Sequence, residues 1–185
     1  MSPLIFARLV YALWVAFVVY LTVAGFGVKR DTEQHLGQSL GLTFAIIVAF
    51  ILPHVPLFSF INFAPVSPAL SIVGLIICIV GMIFLVWARQ TLGRNWSQIV
   101  SAKEDHELVI SGPYRLVRHP MYTGGIVAVI GSAIVAGGAF VFVALVLAPL
   151  FLWRVGAEDK LMERQFPSDY PAYKERTKAL IPFVW

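Results

Sequence analysis

Apolar residues fall in long unbroken blocks along this chain, and polar residues are confined to the gaps between them. Residues 4–26 are apolar apart from Arg8, Thr22 and Gly25. A helix rises about 1.5 Å per residue and a bilayer core is about 30 Å thick, so this block is long enough to cross. It is too long for the hydrophobic part of a secretory signal and shows no small-x-small cleavage site ahead of soluble sequence, so a retained helix is expected. A polar loop, 28–39, leads to a second block, 40–63, where Pro53 and Pro56 predict a kink or an end near Leu52. His54, between them, reads as a helix-end histidine satisfied by water. Pro65 and Pro68 punctuate a short uncharged loop. The third block, 69–87, carries Gly74 and Gly81 on a spacing that suits close helix packing.

A long polar connection, 89–120, follows. Two further apolar runs, 122–136 and 139–153, then flank Gly137-Gly138. Each is roughly 22 Å of helix, short of the bilayer core, which predicts a tight, tilted helical hairpin. Gly124, Gly125, Gly131, Ser132 and Ala133 give its first arm a small-residue face. The tail from Arg154 is charged and helix-prone. Its Phe166, Tyr170, Tyr173, Ile181, Phe183 and Trp185 predict an amphipathic stretch lying at headgroup level. The pattern as a whole predicts an all-α integral membrane protein of about five transmembrane helices. Residues 1–88 form the first three, and 89–185 a connector, the hairpin and a helical tail.

Composition and charge agree with a membrane protein. The chain of 185 residues is 59% apolar and 13% charged, against about 25% charged in a soluble domain, and its mean hydropathy is +0.82. The net charge of +4 does not point to nucleic acid, because every Lys and Arg except Arg8 lies in the loop after the first span, the connector, or the tail. With five spans these share one side, which the positive-inside rule makes cytoplasmic, the inner membrane in a bacterium. The spans are nearly free of ionisable groups, which disfavours an ion or proton pathway. Cys78, the lone cysteine, sits in an apolar run and reads as a small buried hydrophobe.

Candidate chemistry concentrates in residues 106–122, HELVISGPYRLVRHPMY. No phosphate-binding loop, zinc spacing or nucleophile elbow is present there. Pro113 and Pro120 fix the backbone around YRLVRH and keep Gly112 and His119 out of helical geometry. His119 is thus expected just ahead of a helix start, where unpaired N–H groups and the positive dipole end suit a carboxylate. Arg154 and Glu158 are one helical turn apart and share a face; spacing alone is equally compatible with a plain interfacial salt bridge.

HELVISGPYRLVRHPMYTG, then Arg154-x-x-x-Glu158-Asp159 before LMERQF, then YPAYKERTKALIP, resembles the isoprenylcysteine carboxyl methyltransferase family of membrane enzymes. The resemblance covers about 92–182, half the chain, together with the five-span layout. It implies S-adenosylmethionine as methyl donor. By position, His106, Glu107, Leu108 and Val109 would line the cofactor pocket and Tyr114 would add an aromatic wall. His119, Pro120, Met121 and Tyr122 would close on the cofactor's amino acid part and ribose. Glu158 would take a polar group of the cofactor, and Arg154 would contact the substrate. The family's paired acids are Glu158-Asp159 here, Pro167 stands where the family has Gly, and Ala179, beside Lys178, stands where it has Arg.

The chemistry so implied is simple. A sulfonium methyl is already electrophilic and a carboxylate is already ionised at neutral pH, so no general base is required. Alignment and exclusion of water can supply roughly 7–11 kcal/mol, with Arg154 holding the carboxylate of a lipophilic small-molecule or prenylated acceptor that enters from the bilayer. Three other readings compete. Methylation of a phospholipid amine needs a base, and only Asp159 is spare. Reduction of a sterol-like double bond with NADPH wants clustered Arg for the 2′-phosphate. A non-catalytic membrane protein would use the motif only as a folded loop.

Overall fold

The computed structural model describes residues 3–25, 67–96 and 107–184. Five helices account for most of them: α1 (Pro3–Gly25), α2 (Pro68–Leu92), α3 (Pro120–Ala136), α4 (Gly138–Gln165) and α5 (Tyr170–Arg176), with short 3-10 turns at Gly93–Asn95 and Gly112–Arg115. Among the described residues the only β contact is a single parallel bridge between Val117 and Lys178. The second span expected over 40–63, its Pro53, Pro56 and His54, and the loop 28–39 lie outside the described residues, as do Pro65, His106 and Trp185.

Local chemistry sets the helix ends. Ser67 caps α2, its Oγ accepting from the Leu70 amide at 3.2 Å, and Pro68 occupies the first turn, where no N–H is needed. Gly93 closes α2 at φ 52°, a conformation that favours glycine. Gly137, at φ 72°, reverses the chain between α3 and α4. Three helical stretches are long and apolar enough to cross a membrane, Ile5–Ala24, Pro68–Asn95 and Phe140–Gln165, and Pro120–Ala136 is a shorter apolar helix.

α2 and α3 run antiparallel with their backbones in contact. A Cβ added at Gly81 would lie 2.8 Å from the Gly124 carbonyl oxygen, and one at Gly131 would lie 2.8 Å from Cys78 Cα. Gly74 and Gly124 are equally closed, at 2.9 Å from the Gly131 oxygen and 2.8 Å from the Leu85 nitrogen. The glycine spacing read from the sequence is therefore a backbone-to-backbone seam. α1 packs beside it through Phe6, Val10 and Trp14. Trp14 Nε1 donates to Ser132 Oγ at 3.0 Å, and that hydroxyl donates to the Ala128 carbonyl at 2.7 Å, which satisfies both polar groups inside the apolar core. Cys78 is fully buried against Ser132, as a small hydrophobe should be.

Arg89, buried near the end of α2, donates to Ala24 O in the last turn of α1 at 2.7 Å and to Gly93 O at 2.9 Å, and its guanidinium lies over Trp96. The C-terminal ends of α1 and α2 therefore meet, and the two helices run parallel, as the five-span reading requires of its first and third spans. The start of α3 and the far half of α4 come to the same end of the bundle.

Two expectations need correction. The hairpin arms are unequal. α4 has 28 residues rather than about 15 and runs on past Trp153 through RVGAEDKLMERQ, because nothing in that stretch stops a helix and its charges find partners. The tail aromatics do not form one membrane-facing set. Tyr170 and Tyr173 are buried at 2% and 4% exposure, whereas Phe183 is 94% exposed. The two tyrosines instead face the connector, where their hydroxyls are used.

The seam gives a direct test. Gly131→Ala is expected to destabilise the protein by about 1–3 kcal/mol, because backbone on the other side cannot move aside. Gly156→Ala, where an added Cβ meets nothing within 4 Å, is expected to be neutral or slightly stabilising. Thermal unfolding of both variants in detergent measures the difference.

Candidate active site

The connector enters the site as an extended segment, Glu107–Ile110, and tightens into the 3-10 turn Gly112–Arg115. Gly112 has φ 57°, and Pro113 supplies the fixed φ that starts the turn. The next residues are clamped from behind by the C-terminal segment: the Arg118 amide donates to Lys178 O at 2.8 Å and the His119 amide to Ala179 O at 3.0 Å. Thr123 Oγ1 donates to Leu180 O at 2.7 Å, and Tyr173 OH to Tyr114 O at 2.6 Å. The tail is thus a strap across the connector, held by backbone groups. His119 is the N-cap of α3, as the sequence predicted, and its side chain makes no cap bond there.

That side chain points instead to α4. His119 Nε2 is 2.8 Å from Asp159 Oδ1, and Nδ1 is 3.3 Å from Glu158 Oε2. Both neighbours are carboxylate oxygens, which cannot donate, so the arrangement favours a proton on each ring nitrogen, the imidazolium form. Burial alone would lower its pKa; the bonds to Asp159 and Glu158 outweigh that and raise it above the ordinary 6.5.

The two adjacent acids have different surroundings. Asp159 is sealed, its side chain 10% exposed. It accepts from His119, from Arg118 Nη2 at 3.0 Å and from Tyr170 OH at 2.5 Å, with Lys174 Nζ at 3.8 Å. Burial, and then the bond to Asp159, push the Tyr170 hydroxyl far above its usual range, so it stays a donor. Arg118 also donates to the carbonyls of Lys174 and Thr177, which ties the clamp to α5 and the strap. Glu158 is more open, with a side chain 25% exposed. Its Oε1 accepts from Tyr122 OH at 2.5 Å and from Arg154 Nη2 at 3.2 Å, while Oε2 faces His119 alone.

Arg154 completes the cluster. Its Nε donates to Tyr122 OH at 2.8 Å and Nη2 to Glu158, and Nη1 has no hydrogen-bond partner among the described residues. The Tyr122 ring is stacked near His119 and packs on Phe151 with centroids 4.9 Å apart. Arg118, His119 and Arg154 thus face Glu158 and Asp159, and one positive charge is left over before Lys174 is added at the rim.

Of the residues singled out from the sequence, His119, Tyr122, Arg154 and Glu158 meet in one contact network, with Pro120 buried and Met121 half-buried beside them. Tyr114 is buried close by. Leu108 and Val109 are half-buried and Glu107 is exposed on the approaching segment; His106 lies outside the described residues. Sequence reasoning missed Arg118, Asp159, Tyr170 and Tyr173. The signal that could have found them is a matching pair of pairs, Arg118-His119 against Glu158-Asp159, with two tyrosines three apart on α5.

An all-helical body with several helices long and apolar enough to cross a membrane, and a buried, charged cluster toward one end of them, defines the class as a polytopic membrane protein with a polar site. Residues 73–164 match the Isoprenylcysteine carboxyl methyltransferase (ICMT) family. The chain belongs to that family. It is 25% identical to a probable protein-S-isoprenylcysteine O-methyltransferase of Oryza sativa subsp. indica, over 94% of this chain and 88% of that one. It is 33% identical to the nickel-cobalt-cadmium resistance protein NccN of Alcaligenes xylosoxydans xylosoxydans, over 56% and 48%. Among solved structures it is similar to the eukaryotic intramembrane Ras methyltransferase ICMT, with a TM-score of 0.54 and 26% identity, covering 83% of this chain and 55% of that one. The family match stops before α5, although α5 and the strap build the back of the site.

The raised His119 pKa sets a pH dependence. Its contribution to stability is fully present below the unfolded value, near 6.5, and is lost as pH rises through the higher native value. Melting temperature in detergent is therefore expected to fall on the alkaline side of neutrality, and His119→Gln is expected to flatten that slope.

Proposed function

We propose that this protein is a membrane methyltransferase that transfers a methyl group from S-adenosylmethionine to the carboxylate of a lipophilic acceptor, as in isoprenylcysteine carboxyl O-methylation. One observation carries the reading. Arg154 has its Nε and Nη2 committed to Tyr122 and Glu158, and its Nη1 has no hydrogen-bond partner among the described residues. A guanidinium held on one edge and open on the other is a preorganised seat for a carboxylate.

The residues present fit the methyl donor. Glu158 Oε2 has a single described partner and is open enough to take a further donor, such as an ammonium or a ribose hydroxyl. The α3 start offers the Met121 amide, which makes no hydrogen bond among the described residues, at the positive end of the helix dipole. Leu108 and Val109 are half-buried and Tyr114 is buried, which supports their supplying an apolar wall, with His106 and Glu107 preceding them in the sequence. Bound there, S-adenosylmethionine supplies a methyl group on a positively charged sulfur. Arg154 then orients the acceptor carboxylate, Tyr122 and Glu158 keep the guanidinium from turning, and the Tyr122–Phe151 pair keeps water from that side. No side chain has to remove a proton.

The acceptor reaches Arg154 from the lipid side. Leu152 and Trp153, on the turn before it, are 50% and 61% exposed on a helix long enough to cross the membrane. The basic residues of connector and tail put this end of the bundle at the cytoplasmic face. Amine methylation is disfavoured by the same geometry: an ammonium must first lose a proton, and Asp159 is saturated by donors and cannot act as the base.

Arg154→Ala is expected to lower kcat/KM for methyl transfer by about 10- to 150-fold, the worth of hydrogen bonds to a charged group, while donor binding by calorimetry persists. Glu158→Ala is expected to lose donor binding. Assays use labelled methyl donor with a prenylated cysteine analogue and, separately, a long-chain fatty acid. Wild-type turnover surviving intact in Arg154→Ala would remove the assigned role, and labelling of an amine lipid in place of either carboxylate would overturn the reading.

A further inference from the structure

Asp159 touches neither open edge of the site, yet four groups converge on its side chain. It lies on α4 beside Glu158, and it accepts from His119 and Arg118 of the connector and from Tyr170 of α5, with Lys174 at the rim. Salt-bridge partners on that scale are costly to assemble in a buried place, and each burial must be offset by a completed bond. We propose that Asp159 is a positioning residue for methyl-donor binding: its carboxylate holds His119 as an imidazolium whose Nδ1–H fixes Glu158 Oε2. This rests on the reading of Glu158 as a donor-binding group.

The geometry gives the reason. Tyr122 and Arg154 hold only Oε1 of Glu158, so rotation of the carboxylate about that end is opposed by the single contact from His119 at 3.3 Å. A neutral imidazole still reaches the Glu158 carboxylate through Nδ1–H, but the bond then lacks the positive charge on its donor and is weaker. The groups that decide its charge are all in view. Glu158 and Asp159 of α4 favour the imidazolium. Arg118 and Lys174 oppose it, but Arg118 is spent on Asp159 and Lys174 pairs with Glu163 at 2.9 Å. Tyr122 and Tyr170 remain neutral. Replacing Asp159 by Asn keeps the shape, and the amide can donate to an unprotonated Nε2, so the variant accommodates a neutral ring without a void.

Two measurements decide it on the full-length protein in detergent. The first is ¹⁵N NMR of histidine-labelled protein, with the His119 signal assigned by its absence in His119→Gln. Wild type is expected to keep both His119 nitrogens protonated above neutral pH, and Asp159→Asn to lose one at lower pH. The second is donor affinity by calorimetry. The deficit of Asp159→Asn relative to wild type is expected to grow about tenfold or more between about pH 6 and about pH 8, the loss of one charge-assisted bond. A role in folding alone would weaken binding equally at all pH values, and that result overturns the proposal. So does a wild-type His119 that is neutral at about pH 7, which needs no folded Asp159→Asn to establish. The histidine titration requires no methyl donor, so failure of the proposed methyl transfer leaves its outcome readable and distinct.

Discussion

The bond between His119 and Asp159 is the point on which the rest of this end of the molecule depends. It joins the connector to α4, and each partner recruits the groups that make its own burial tolerable: Glu158 on the far side of the imidazole, Arg118 and Tyr170 around the carboxylate. An ion moved out of water costs several kcal/mol even after relaxation. A cluster of three cations and two carboxylates is therefore stable only when nearly every donor is spent. That requirement explains the strap. Without α5 and residues 177–180, Arg118 would lose two carbonyl acceptors and Asp159 would lose Tyr170. The C-terminal tail is thereby as much a part of the site as the connector that carries its motif.

The glycine seam makes this cluster possible from a distance. α2 and α3 touch backbone to backbone at Gly74–Gly131 and Gly81–Gly124, which leaves no freedom for α3 to slide along its neighbour. The start of α3, and with it His119 and Tyr122, is therefore held at a fixed level in the bundle. α4 returns from Gly137 past that level and presents Arg154, Glu158 and Asp159 on its inner side. The unequal hairpin follows: the long arm must extend one or two turns beyond the short arm's start to bring its acids under the histidine.

Much of this was legible from residue order. The apolar blocks, the glycine spacing, the cap position of His119 before Pro120 and the shared face of Arg154 and Glu158 are all local properties, carried by a few neighbouring residues. The rest was not local. The length of α4 was underestimated because apolar runs end at the first charge, whereas a helix continues wherever its charges find partners. Tyr170 and Tyr173 were read as membrane-facing because composition shows that a stretch is amphipathic without showing what each face meets. Asp159 passed as a spare acid beside Glu158 because sequence gives adjacent acids the same description. Consecutive helical residues point about 100° apart, and that alone sends one carboxylate to the sealed strap and the other to the open site.

That difference in direction has a consequence for the chemistry. Charge sealed behind His119 does not compete for ligands, so the face that ligands meet is dominated by Arg154, the imidazolium and the α3 dipole, tempered by Glu158 alone. Such a face separates the two reactants by sign: Arg154 suits an anionic acceptor, and Glu158 remains for a cationic group of the donor. It also lies where the two reactants can differ most in solubility. The connector side is polar and backed by the strap, and the Leu152–Trp153 side is lipid-facing. Arg154 stands between them, buried and anchored on one edge, so a guanidinium that would otherwise sample many rotamers is held in one place. A protein built this way need contribute little beyond position, because the remaining barrier to joining a pre-activated methyl group with an ionised carboxylate is mainly that of bringing them together dry.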